Sequence, residues 1–235
     1  MQLPLGIKLP DNATFTNLIT GKNGEAIDHV KQSIAAHLED HSAIYLWGLP
    51  GSGKSHILQA ACQAVSNDRS TAVYLSLKQL TDTGEPLFDP GILQGLESID
   101  LVCIDDIDAV AGHTDWEEAL FHLYNRIQIA NSRIFIAGNS APVNLNIILA
   151  DLRSRLAGGW VFQLQLLSDE EKKQALQLRA HTRGIVMPNE VSDYLLRYFP
   201  RDMHALFSLL DQLDTASMVE QRRLTIPFVK NVLLN

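Results

Sequence analysis

Eight consecutive residues carry the clearest chemistry in this chain: Gly48, Leu49, Pro50, Gly51, Ser52, Gly53, Lys54 and Ser55. They fit G-x-x-x-x-G-K-[ST], in which glycines let backbone N–H groups turn inward around phosphate oxygens. The helix that must follow adds the positive end of its dipole. Lys54 is placed to neutralise the outer phosphates, and Ser55 to ligate Mg2+. A second constellation is Leu101-Val102-Cys103-Ile104-Asp105-Asp106. Four apolar residues ending in two carboxylates read as a buried strand. It delivers acids to the carboxyl edge of a sheet, where the ligands of open α/β sheets bind. Asp105 is expected to hold Mg2+ through its water shell, and Asp106 to orient an attacking water.

For these groups to meet, strands and helices must alternate. Apolar runs predict strands at Ala43–Trp47, Ala72–Leu77, Leu101–Asp105, Arg133–Gly138 and Val161–Leu164. Between them, helical spacing predicts Glu25–Asp40, with Ile27, Val30, Ile34 and Leu38 on one face, and a helix from Lys54 to about Ser66. Trp116–Ala130 follows, with Trp116, Leu120, Leu123 and Ile127 aligned. The reading is an α/β fold, a five-stranded parallel sheet flanked by helices on both faces. After Leu167 only helices are expected. Ser168 to Glu171 fits a capping box and Gly184 a helix end, and Asn189–Phe199, Arg201–Gln221 and Pro227–Leu234 follow. The expected organisation is a tail over 1–21, a nucleotide-binding base over 22–165 and an α-helical lid over 166–235.

Composition bounds the function. Of 235 residues, 46% are hydrophobic and 20% charged, which suits a packed core and excludes a disordered chain. No apolar run reaches a membrane span of ~20 residues, and no signal peptide is expected. Cys62 and Cys103 lie in apolar surroundings and read as reduced core residues of a cytosolic protein. Residues 1–165 hold 10 Lys/Arg against 18 Asp/Glu, which is the whole net charge of −8, whereas residues 166–235 are neutral. That balance argues against sequence-specific duplex binding, which rests on phosphate neutralisation. Some features read as ordinary. His37 and His41 lack the Glu of a zinc-binding H-E-x-x-H. Trp116 and Tyr124 read as core or helix-face residues, and Glu117 and Glu118 as a favourable first helical turn.

The phosphate loop, the Asp-Asp strand, a polar residue ending the fourth strand and a helical C-terminal segment together resemble the AAA+ ATPases. Ile44–Gly48, Leu101–Asp105, Trp116–Arg126 and Leu224–Lys230 narrow the resemblance to the Hda group of DnaA-related AAA+ proteins, over essentially the whole chain. The resemblance implies ADP or ATP with Mg2+, held by Pro50, Gly51, Ser52, Gly53, Lys54, Ser55 and His56. It places Phe15 to Leu18 near the base and Asn139 as the polar sensor ending the fourth strand. It makes Arg155 an arginine finger acting on a neighbouring subunit's nucleotide. Arg153 is the alternative finger, and pairing of Arg155 with Asp151 is the ordinary reading. The position of the second sensor falls on His204, with Arg201 as the alternative. Gln2-Leu3-Pro4-Leu5 resembles a motif docking on the sliding clamp of DNA polymerase, although Gly6 departs from it. The implied function is a cytoplasmic regulator that, with the clamp, stimulates hydrolysis of ATP bound to the initiator DnaA. Self-association and slow intrinsic hydrolysis are expected. The rival readings are a helicase-loader-like ATPase, a nucleotide-gated scaffold and a small-molecule kinase.

Overall fold

The computed structural model describes residues 13–35, 43–68, 70–81 and 89–234. The clamp-motif residues Gln2, Leu3 and Leu5, the pair His37 and His41, and the expected end of the first helix lie outside them. The chain divides into two compact units, one of Met1–Thr16 with Asn23–Gln165, the other of Asn17–Lys22 with Leu166–Asn235.

The first unit is built on β1 (Ile44–Trp47), β2 (Ala72–Ser76), β3 (Leu101–Asp105), β4 (Arg133–Gly138) and β5 (Trp160–Gln163). All pairings are parallel, in the order β2-β3-β4-β1-β5. β3 is buried along its full length, as the continuous apolar run requires of a strand covered on both faces. β5, at the edge, is mostly exposed. Its span is shifted by one residue from the expected Val161–Leu164, because Trp160 pairs with Ile44. Register aligns the strand ends: Trp47 is level with Gly138, and Ser76 with Asp105. The carboxyl ends of four strands therefore open onto one edge.

The helices of this unit are α1 (Gly24–Ala35), α2 (Lys54–Asn67), α3 (Leu77–Thr81), α4 (Thr114–Ala130) and α5 (Ala150–Ala157). Leu77, expected in a strand, begins α3 instead, which takes up the chain directly after Ser76. The core joins Tyr45, Leu75, Val102, Ile104, Trp116, Leu120, Tyr124 and Ile136 with Leu152 and Leu156 of α5. Trp116 and Tyr124 are thus core residues, and Cys62 and Cys103 are free and buried.

The second unit contains α6 (Asp169–Thr182), α7 (Asn189–Tyr198), α8 (Met203–Glu220) and α9 (Ile226–Leu234). Its core includes Leu176, Val191, Leu195, Leu206, Leu210 and Phe228, and Ile19 packs against it. The capping box is present: Ser168 Oγ accepts from the Glu171 N–H, and Glu171 Oε2 accepts from the Ser168 N–H at 2.7 Å. Gly184, at φ +76°, follows α6, and the next N–H, of Ile185, returns to the Ala180 carbonyl. The third helix of this unit, α8, was expected to begin at Arg201. It begins at Met203, because Asp202 caps it by accepting the Ala205 N–H at 2.8 Å. Among the described residues no helix is long and apolar enough to cross a membrane.

Candidate functional site

The loop after β1 has the geometry its glycines allow. Gly51 and Gly53 sit at φ +83° and +98°, where a side chain is strained. A Cβ on Gly48 would lie 2.5 Å from the Leu164 carbonyl oxygen. Gly53 caps α2 without any side-chain acceptor, which leaves the helix N-terminus to engage an anion. Lys54 is buried, and its Nζ donates to the carbonyls of Gly48 at 2.7 Å and Leu49 at 3.2 Å. Burial holds the ammonium below its ordinary pKa, against the opposing pull of Asp105, Asp106 and Asp108. Ser52 Oγ is buried in the same loop with no partner among the described residues. A buried hydroxyl of this kind calls for an acceptor, and a phosphate oxygen would supply one.

Asp105 ends β3 fully buried. Its Oδ2 accepts the Tyr74 hydroxyl at 2.7 Å, its Oδ1 accepts the Asp106 N–H at 2.9 Å, and Ser55 also hydrogen-bonds it. Burial pushes the Asp105 carboxyl up; the three hydrogen bonds oppose this and the Asp106 charge adds to it. A hydroxyl and a buried carboxylate in contact, both hard oxygen donors, are the pair a Mg2+ ion takes alongside phosphate and water. The residues present therefore fit that ion. Among the described residues no cluster of three His, Cys, Asp or Glu could hold a metal.

Asp106 adopts the left-handed conformation at φ +57°, and its Oδ2 accepts the Ser76 hydroxyl at 2.9 Å. A third carboxylate escaped the sequence reading. Asp108 accepts the Asn139 N–H at 2.7 Å and so fixes the backbone where β4 ends. The Tyr45 hydroxyl donates to the Ser140 carbonyl at 2.9 Å and fills the space over Gly138 that a Cβ would need. The Asn139 side chain is exposed between these two anchors.

The remaining expected site residues fall in both units. His56 Nε2 is 3.0 Å from the Thr14 carbonyl, and the Lys31 ammonium lies 5.4 Å from the Phe15 ring centre. Phe15 belongs to the first unit and Leu18 to the second. Arg201 precedes α8 rather than lying on it, and pairs with Asp169 at 2.9 Å. His204 is exposed in the first turn of α8.

Arg153 and Arg155 lie on α5, both exposed. Arg153 reaches the Ile147 carbonyl at 3.5 Å. Arg155 forms no ion pair among the described residues, so the expected partner Asp151 does not hold it. It lies close enough to Tyr124 to offset part of the upward shift that burial gives that phenol. Glu118 is exposed just past the first turn of α4, whereas Glu117, within that turn, is buried and accepts from Gly112, Ile148 and Leu149. Glu117 thus stands in the first turn as expected, with burial and three backbone partners that the sequence did not announce.

Two family models match the chain: the bacterial DnaA ATPase domain over residues 9–163, and the lid domain of Hda over residues 169–233. Among solved structures, domain III of the Thermotoga maritima replication initiation protein DnaA superposes with a TM-score of 0.80 at 21% identity, covering 96% of both chains. AMPPCP-bound DnaA from Aquifex aeolicus gives 0.71 at 22% identity, over 90% of this chain and 68% of that one. The Thermotoga maritima RuvB branch migration motor gives 0.60 at 17% identity, over 88% and 68%. These structures share the fold: a five-stranded parallel sheet with flanking helices, followed by a helical lid. With the larger family match spanning most of its length, the chain belongs to the bacterial DnaA ATPase-domain family and carries a lid of the Hda type.

Proposed function

We propose that this protein regulates the start of chromosome replication in the cytoplasm by stimulating hydrolysis of ATP bound to the initiator DnaA. In this reading it carries its own adenine nucleotide, ADP or ATP, as its DnaA relative carries AMPPCP. The loop Pro50 to Ser55 and His56 bind that nucleotide, together with Phe15 of the same unit. Ser55 and Asp105 hold Mg2+, which when bound neutralises and orients the phosphate oxygens. Asp106 and Asn139 position water at the outer phosphate. The Ser76 hydroxyl holds Asp106, so intrinsic turnover is slow. Gln2, Leu3 and Leu5 tether the protein to the sliding clamp, and self-association pairs one copy with another.

The observation that carries the reading is Arg155: an exposed guanidinium on a short helix, with no carboxylate holding it. Arginine stays charged and forks onto two oxygens, so it stabilises charge developing on a partner's phosphate. An arginine supplied in this way raises hydrolysis by ~10³–10⁵ in other nucleotide hydrolases. The test is Arg155→Ala, Arg153→Ala and the double variant, assayed for stimulation of DnaA's ATPase in the presence of the clamp. Loss in Arg155→Ala with binding of ADP retained supports the reading. Loss in Arg153→Ala alone reassigns the finger, and stimulation retained in the double variant overturns the mechanism.

A further inference from the structure

Glu117 is a buried acid with no cationic partner among the described residues; its side chain is satisfied by backbone. It sits in the first turn of α4, 1% exposed. Oε1 accepts the Gly112 N–H at 2.7 Å. The Ile148 N–H reaches both oxygens, at 3.1 and 2.9 Å, and the Leu149 N–H reaches Oε2 at 2.7 Å. Burying a carboxylate is costly unless hydrogen bonds replace its water, and here charge-assisted N–H contacts do so.

Two of the three donors are the last residues before α5. Leu149 is the N-cap residue of that helix and offers no side-chain cap of its own. Eight residues make a helix too short to be stable by propensity alone, and only Leu152 and Leu156 anchor α5 by burial. A negative charge at its start satisfies N–H groups there and suits the helix dipole. Glu117 thus caps α5 from another helix. Two turns further along α4, the charge of Arg155 is near enough to Tyr124 to oppose the upward shift that burial gives the phenol. Farther along, α4 and α5 share a core through Leu120, Leu123 and Tyr124 with Leu152 and Leu156. Leu149 and Arg155 are six residues apart, about 9 Å along the helix axis, so a tilt at the cap is carried to the guanidinium.

We propose that Glu117 is a positioning residue for the arginine helix: its carboxylate fixes the start of α5 and thereby aims Arg155 at the partner's phosphate. The proposal rests on the reading of Arg155 given above. A misplacement of about 1 Å costs up to 10²-fold in rate where geometry is decisive.

Glu117→Gln removes one of the two acceptor oxygens while keeping the shape. Glu118→Gln is the exposed control. Three quantities are measured: stimulation of DnaA's ATPase, affinity for ADP, and amide hydrogen exchange. The expected result in Glu117→Gln is at least tenfold less stimulation with ADP affinity within twofold of wild type. Combined with Arg155→Ala, the substitution adds no further loss. Amides of Leu152 to Ala157 exchange at least tenfold faster, while those of α2 do not change. ADP affinity and stimulation falling together, or exchange in α5 unchanged, overturns the proposal. Should the wild type fail to stimulate DnaA, the proposed function is wrong, and exchange alone decides: faster exchange confined to α5 supports Glu117 as its cap, and any other pattern overturns it. Should Glu117→Gln fail to fold, Glu117→Asp, which keeps both oxygens but withdraws them by one methylene, is read by the same criteria.

Discussion

The Tyr74 hydroxyl, on β2, donates to Asp105 Oδ2, on β3, at 2.7 Å, and both side chains are buried. The bond joins neighbouring strands at the sheet edge where the phosphate loop ends. Burial of the pair, with the carboxylate beside the phenol, pushes the Tyr74 pKa far above its ordinary value, so the hydroxyl remains a donor throughout the physiological range. Tyr74→Phe leaves Asp105 with the Ser55 hydroxyl and the Asp106 N–H only. Removing one partner of a buried charged group costs about 1–3 kcal/mol. Urea unfolding of nucleotide-free wild type and Tyr74→Phe should show a loss in this range. A difference below about 0.5 kcal/mol would mean that the bond adds nothing to folding.

Lys54 donates to two carbonyls of its own loop, so its ammonium is already in place before any phosphate arrives. Its contacts to phosphate are charge-assisted, of the class worth about 1.5–3 kcal/mol. Lys54→Ala should therefore weaken ADP binding at least tenfold by calorimetry, with the melting temperature of the nucleotide-free protein little changed. Unchanged affinity would remove the loop from the binding site.

Thr71 and Asp100 clasp each other before β2 and β3. The Thr71 N–H and hydroxyl donate to Asp100 Oδ2 at 2.7 and 2.9 Å, and the Asp100 N–H donates back to Thr71 Oγ1 at 3.1 Å. The Thr71 backbone bond, then its hydroxyl, holds the carboxyl below its ordinary range. A carboxyl with a depressed folded pKa adds stability above its unfolded value of about 3.9 and loses it as pH falls through the folded value. Asp100→Ala should melt below wild type at pH 7, with the gap closing as pH drops below about 4. A gap independent of pH would show that the carboxylate charge is not what stabilises the clasp.

The parts of the site that the sequence displays are those whose signal is local. Gly51 and Gly53 of the loop stand where the backbone needs positive φ, and the ends of β3 and β4 coincide with their apolar runs. Asp108 and Glu117 were hidden for the opposite reason. Apart from Gly112, their partners are backbone N–H groups 31 or 32 residues away, which carry no residue type to recognise. An acid in a first helical turn looks the same in sequence whether it is exposed, as Asp115 is, or buried, as Glu117 is. The placement of Arg201 outside α8 was legible in principle, since Asp202 after Pro200 is a good N-cap. The grouping of Asn17–Lys22 with the C-terminal unit rests on long-range packing at Ile19, which no local pattern announces.

Gly138 ends β4 where there is no room for a side chain. A Cβ there would collide with the Tyr45 hydroxyl and come within 3.0 Å of Ile107 Cγ2 and 3.1 Å of Asp108 Oδ2. Asp108 also holds the Asn139 N–H and Tyr45 the Ser140 carbonyl, so Gly138→Ala should act on stability and on the placement of Asn139 together. Overpacking of this size costs typically about 1–3 kcal/mol. Tyr45→Phe removes the worst obstacle but leaves the Ser140 carbonyl without its donor, a loss of about 0.5–1.5 kcal/mol. The residues touch, so their effects should not add. The double variant Gly138→Ala/Tyr45→Phe should be more stable than the sum of the single losses predicts, by at least about 0.5 kcal/mol. Denaturant unfolding of the four proteins measures this coupling, and nucleotide hydrolysis by each shows whether relieving the clash also restores the placement of Asn139. Strict additivity would mean that the two side chains do not compete for this space, and that Gly138 serves the site in some other way.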